Sequence, residues 1–205
     1  ERSQLWLGIS LLTPLYFGLI SLHHALSHPY LVQDDARQHV VWLQQFVDPE
    51  LFPNDLIATY FRTVAPSGYQ FFFWVLSQLG VEPIVVAKFL PIGLALIVTA
   101  YYFYISLLIL PISFTAWLST LLFNQQLWLN DDLISATPRA FVYPIFAAFL
   151  YYLLRSSLIP CLITILLQGL FFPQFVLLQI AILTVRLVEW RDRSIRFTQI
   201  RKSYL

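Results

Sequence analysis

The sequence predicts an all-α, multispan helical membrane protein of about six transmembrane helices, with a large helical outer loop between the first two. Of its 205 residues 59% are hydrophobic and only 11% are charged, and the mean hydropathy is +0.71. Soluble domains carry roughly 25% charged residues. A soluble body of this composition would lack the polar side chains to coat its outside. Several long apolar runs free of charge approach the ~20 residues a helix needs to cross a bilayer. A cytosolic enzyme, a nucleic-acid module and a disordered chain are therefore poor fits. The net charge of +1 supplies no bulk field for nucleic acid, so no such partner is expected. The single cysteine, Cys161, lies inside an apolar run, which leaves no disulfide framework or cysteine metal cluster.

The first span is read at residues 5–22; Pro14 and Gly18 within it are tolerated in membrane helices. The outer loop 23–83 follows. The second span, 84–110, carries Lys88 near its start, where a long stem can snorkel to the interface. Pro111 breaks the chain, and the third span covers 112–129, with Asn124, Gln125 and Gln126 near its end. A short outer loop, 130–139, leads to the fourth span, 140–154. The charge-free run 156–185 would reach about 45 Å as one helix, too long for a core of roughly 30 Å. The segment Gln168-Gly169-Leu170-Phe171-Phe172-Pro173-Gln174 suggests a turn in its middle, giving short helices at 158–170 and 174–190 folded as a hairpin. A basic cytoplasmic tail, 191–205, closes the chain.

Charge placement supports six passes with a cytoplasmic N-terminus. Eight of the 12 basic residues then lie inside: Arg2, Arg155, Arg186, Arg191, Arg193, Arg196, Arg201 and Lys202. This is the bias of the positive-inside rule, and five passes would put the basic tail on the wrong side. Eight of the 11 acids fall outside, although acids count little in that rule. The absence of methionine, the start at Glu1 and a tail that stops without a further span read as the N-terminal part of a longer protein. Residues 1–205 are expected to form one membrane domain.

The first outer loop is the most informative stretch. Gln33-Asp34-Asp35-Ala36-Arg37-Gln38-His39 opens a helix whose apolar side would be Val40, Val41, Leu43, Phe46 and Val47. Asn54-Asp55 and Ala65-Pro66-Ser67-Gly68 mark turns, and residues 69–79 form an aromatic segment suited to the interface. Helix geometry puts Asp35 and His39 one turn apart on one face. That pairing suits a general base or a metal ligand with an imidazole in support. The plainer role for Asp34 and Asp35 is to cap a helix and complement its dipole. The short outer loop carries a second pair, Asp131 and Asp132, followed by Thr137 as N-cap and Pro138 as first helical residue. Arg139 then stands at the outer surface, where a guanidinium matches a phosphate or pairs with Asp132.

Other polar groups are weaker candidates. His23, His24 and His28 near two aspartates could hold a divalent metal, but their spacing fits no strict motif and favours ordinary interfacial histidines. Gln168 and Gln174 flank the Phe-Phe-Pro turn and would either join helices or line a substrate cleft. Tyr101, Tyr102, Tyr104, Tyr151 and Tyr152 read as interfacial belts.

A first span, then a large outer loop opening with an acidic pair on an amphipathic helix, resembles the GT-C fold of membrane glycosyltransferases. The stretch Gln33 to Val40 is also similar to uncharacterised bacterial membrane proteins of GT-C type. The resemblance implies an outer-face transfer of a sugar from a polyprenyl-phosphate donor in a bacterial plasma membrane. It makes Asp34 or Asp35 the first-loop base, with His39 in support, and Asp131 or Asp132 the later-loop acid. Arg139 becomes a phosphate contact by its location, Gln174 stays a substrate contact on its place beside the turn alone, and a divalent metal is a conceivable cofactor. A transporter subunit is the main rival, yet the spans hold almost no intramembrane charge. A non-catalytic GT-C-like scaffold is the other.

Overall fold

A computed structural model describes residues 2–28, 32–129, 131–191 and 194–197. The fold is helical, as expected, and the helix boundaries follow the breaks in the sequence closely. Helix α1 spans Arg2–Leu26, and the outer loop contains α2 (Asp34–His39), a 3-10 turn (Val41–Phe46), α3 (Leu56–Val64) and α4 (Ser67–Gln78). Then come α5 (Pro83–Ile109), α6 (Ser113–Leu127), the short α7 (Asp131–Ile134) and a 3-10 turn (Pro138–Phe141) leading into α8 (Val142–Leu154). The last hairpin consists of α9 (Leu158–Phe171) and α10 (Val176–Leu187), joined through a 3-10 turn at Pro173–Phe175.

Two expectations about elements need correction. The helix opening at Asp34 does not run on through Val47; it tightens into a 3-10 turn after His39. With three residues per turn, Val40 and Leu43 fall on one side and are both fully buried, whereas Val47 is exposed. The final helix ends at Leu187, not 190. The chain continues as two short antiparallel strands, β1 (Val188–Arg191) and β2 (Ser194–Phe197), with Val188 opposite Phe197. The rest of the expected cytoplasmic tail, 192–193 and 198–205, lies outside the described residues.

Among the described residues two helices, Ser3–Leu26 and Pro83–Ile109, are long and apolar enough to cross a membrane. The expected six are not all of that length. Pro138–Leu154, Leu158–Phe171 and Pro173–Leu187 are apolar but shorter, and α6 has 15 residues. The shortening has a sequence cause. Pro111, the turn at Ser156-Ser157 and Pro173 each interrupt the backbone, and Ser156 adopts a left-handed φ of 56°.

Helix α5 is the central element and packs against α1, α6 and α8; α8 in turn packs on α9. Its inward face presents Leu94, Ala95, Val98, Thr99 and Phe103, all buried. Successive helices run up and down. Trp6 near the start of α1 meets Phe114 near the start of α6, with rings 5.6 Å apart. Tyr101, late in α5, meets Tyr152, late in α8, at 6.1 Å. The loop 32–82, α7 and the α9–α10 turn therefore gather at one end of the bundle. A polar clamp lies within it. Asn124 is fully buried and donates to the Thr99 hydroxyl and to the Thr120 carbonyl, both at 2.9 Å. Such bonds join helices where no water competes.

Close approach also fixes the loop end. A Cβ on Gly68 would stand 2.7 Å from the Leu170 Cβ and 2.8 Å from its carbonyl oxygen, so only glycine lets the start of α4 seat on the end of α9. We expect Gly68→Val to destabilise the fold by about 1–3 kcal/mol. Thermal unfolding of the purified protein reads this directly, and an unshifted transition would show that the α4–α9 seam is not tight.

Candidate functional site

The first acidic pair sits at the start of α2. Gln33 is the N-cap and makes no side-chain cap bond, so Asp34 and Asp35 occupy the first turn and complement the helix dipole. Neither acid is itself the cap. Asp34 is exposed and Asp35 half-buried, facing the side that carries the buried Ala36 and the half-buried His39. The His39 ring packs edge-on against Phe61 of α3, with centroids 5.0 Å apart. Burial lowers the imidazole pKa below its ordinary 6.5, while the Asp35 and Asp132 carboxylates pull it back up.

The two acidic loops, far apart in the chain, meet: α2 packs against α7. Asp132 is 22% exposed and forms an ion pair with Arg139, Oδ2 to Nε 3.2 Å. The Arg139 side chain is 60% exposed, so the guanidinium still opens outward. Thr137 is the N-cap position ahead of Pro138, as expected, and its hydroxyl donates to the Asp132 carbonyl at 3.3 Å. Asp131 is exposed on the rim.

Tyr69 holds the two loops together. It is fully buried, and its hydroxyl donates to the Ala136 carbonyl at 3.1 Å and lies 3.5 Å from the His39 carbonyl. Burial pushes the phenol well above its usual range, so it stays a neutral donor. Ala136 is itself held in a left-handed conformation, φ 52°, without exposure. A non-glycine residue there costs about 1–2 kcal/mol. The strained turn aims its carbonyl at Tyr69. Tyr143, near the start of α8, also interacts electrostatically with Asp132 and Arg139.

Sequence reasoning missed Tyr69, Tyr143 and Ala136 as parts of this cluster. Tyr69 and Phe73 are one turn apart and share the buried face of α4, a signal that marks a packing face but not its distant partners. Gln174 stands apart from these contacts, exposed in the turn after α9. Gln168 is buried, and its amide donates to Phe172 within its own turn at 3.2 Å. His23, His24 and His28 are exposed. A divalent metal does not fit what is present: among the described residues no three His, Cys, Asp or Glu side chains converge on one point.

Beside the cluster opens an apolar groove of about 600 Å³ between α5, α8 and α9. Phe72, Phe141 and Phe171 frame its end nearest the acids, with Phe141 and Phe171 stacked at 4.4 Å. Tyr101 and Tyr152 line the far end. Phe141 follows Arg139 by two positions and Phe72 follows Tyr69 by three, so groove and cluster share an end of the bundle, although Asp35, His39, Asp132 and Arg139 do not line the groove. A second, water-sized cavity of about 30 Å³ lies beneath α2, lined by Ser21, Gln33, Lys88 and Ser135 among others.

Two outcomes follow. Tyr69→Phe strips the Ala136 carbonyl of its buried donor and is expected to lower stability by about 1–3 kcal/mol, read in thermal or denaturant unfolding. A stability equal to that of the parent chain would mean the tie is not formed. His39 bears on acid stability, because its pKa is lower folded than unfolded. Its contribution is whole above 6.5 and is lost as pH falls from 6.5 through the lowered folded value. His39→Gln should flatten the pH dependence of unfolding in that window, whereas an unchanged slope would contradict the assigned direction.

No family model, curated protein or solved structure matches this chain.

Proposed function

We propose that this chain is the membrane part of a GT-C-type glycosyltransferase, moving a sugar from a polyprenyl-phosphate donor to an acceptor hydroxyl at the outer face of a bacterial plasma membrane. In this reading the six helices α1, α5, α6, α8, α9 and α10 are passes, the shorter ones in locally thinned bilayer or as a partly inserted hairpin. The N-terminus is cytoplasmic, and the end of the bundle that carries the acids faces outward. One observation carries the reading: the two acidic loops pack together through α2 and α7, at the end of the bundle where an apolar groove begins. A polar cluster beside a long apolar slot suits a lipid-linked substrate, with the phosphate and sugar at the mouth and the isoprenoid tail in the groove.

The chemistry is a displacement at the anomeric carbon. Asp35 takes the proton of the acceptor hydroxyl as its oxygen attacks that carbon. The new carbon–oxygen bond forms while the bond to the phosphate oxygen breaks, and its electron pair leaves with the polyprenyl phosphate. Arg139 stabilises the departing phosphate charge, held in place by Asp132. His39 is neutral near neutral pH and supports Asp35 without competing as a cation.

The test is transfer in proteoliposomes with the full-length protein, a polyprenyl-phosphate sugar and an acceptor, scored by release of polyprenyl phosphate. Asp35→Asn should reduce kcat by about 10²–10⁴-fold. Arg139→Ala should weaken donor binding as well as turnover. Full activity in Asp34→Asn and Asp35→Asn alike would remove the acid from its role.

A further inference from the structure

We propose that α3 is an interfacial anchor that lies in the outer leaflet and braces His39 from the lipid side. This rests on the membrane-spanning orientation proposed above, but not on the transferase chemistry. The helix has three distinct sides. One side is apolar and packs on the protein, with Ala58 buried and Phe61 and Ala65 half-buried. Next to it lies an equally apolar side that nothing in the chain covers: Leu56 is 84% exposed, Ile57 66%, Tyr60 60% and Val64 52%. At about 100° per residue these four fall on one continuous stripe. The third side is polar, with Thr59, Arg62 and Thr63.

A helix surrounded by water would not leave its apolar arc twice as wide as its packing contact. A helix at a bilayer surface would: one part of the arc seats on the protein, the adjoining part enters the lipid, and the polar side stays wet. The neighbouring helix continues the pattern. In α4, Phe71 is 64% and Trp74 44% exposed, and their rings stack 5.9 Å apart. Residues 56–79 contain a single charge, Arg62, in a loop whose acids lie before this stretch except Glu82, which follows it. Tyrosine and tryptophan with apolar bodies and polar tips prefer this depth.

Position selects lipid over a protein partner. Helix α4 starts against Leu170 near the end of α9 and finishes a few residues before Pro83, where α5 begins. It thus bridges the ends of two bundle helices at the level where they leave the apolar layer. Gln70 fastens α3 to it, donating to the Arg62 carbonyl at 3.2 Å and to the Ala65 carbonyl at 2.8 Å. The start of α5, which follows α4, is likewise apolar and uncovered, with Val85 and Phe89 40% and 49% exposed. Asp55 fixes the start of α3 by accepting from the Ile57 and Ala58 amides at 2.8 and 3.0 Å. Phe61 then carries the anchored helix to the His39 ring.

The experiment places a fluorescent label at single introduced cysteines in the full chain, in nanodiscs of phosphatidylcholine and phosphatidylglycerol. Cys161 is buried, and the chain without an introduced cysteine measures background labelling. Labels replace Ile57 and Tyr60 on the stripe, Thr59 and Thr63 on the polar side, and Ile97 on α5 as the membrane reference. Labels at 57 and 60 should be quenched several-fold more by lipids brominated near the headgroup than by aqueous iodide, and those at 59 and 63 the reverse. Iodide quenching at 57 and 60 with lipid quenching at Ile97 would overturn the anchor and leave the membrane orientation standing. Iodide quenching at Ile97 as well would overturn both. Shielding of 57 and 60 from both quenchers would mean that protein covers the stripe, which also overturns the anchor.

Discussion

A single phenol hydroxyl, that of Tyr69, sits buried between two carbonyls that belong to different loops. It donates to Ala136 at 3.1 Å and lies 3.5 Å from the carbonyl of His39. The rest of the candidate site depends on this tie. The Ala136 turn fixes the short stretch from Asp132 to Arg139, and His39 fixes the end of α2. A hydroxyl shared in this way carries more weight in a dry interior than at a surface, because an unpaired buried carbonyl costs about 1–3 kcal/mol. The left-handed backbone of Ala136 persists because the surroundings over-determine it. Strain at one turn and burial of one tyrosine together keep Asp35, His39, Asp132 and Arg139 in a common field.

The apolar parts of the chain serve that arrangement. Helix α5 presents a small-residue face of Ala95, Val98 and Thr99 to its neighbours, and Asn124 fastens α6 to it through Thr99. Glycine does the equivalent work at the loop end, where Gly68 seats α4 on Leu170. These contacts set the height at which the loop helices meet the bundle. They also leave the groove between α5, α8 and α9 open, with Phe72, Phe141 and Phe171 at its mouth. In the proposed function this groove takes the lipid tail, while the charged cluster handles phosphate and sugar.

Much of the fold was legible because its breaks are chemical. Pro111, Ser156-Ser157 and Phe172-Pro173 interrupt apolar runs, and the helices start and stop there. The pairing of Asp35 with His39 was legible too, since a helical turn brings them to one side. Helix length was less so: proline and left-handed turns shortened the last four helices below what a six-span reading implies. The split of α2 from its 3-10 continuation was hidden because both periods suit the same apolar residues. What no local pattern could reveal is the packing of α7, which carries Asp132, against α2, which carries His39. It depends on Tyr69, whose partners are distant in sequence, and a local period carries information only about one face of one element. Gln174 shows the converse, since its place beside a turn suggested a cleft and left it exposed.

The central claim is that the two acidic loops share one electrostatic site at His39. Its most direct test is the His39 pKa, followed by NMR of histidine-labelled full chain in nanodiscs. Burial sets the value below 6.5, and Asp35 and Asp132 each raise it. Asp35→Asn and Asp132→Asn are therefore each expected to lower the His39 pKa further. A His39 titration that responds to Asp35→Asn and stays unmoved by Asp132→Asn would show that the loops do not meet.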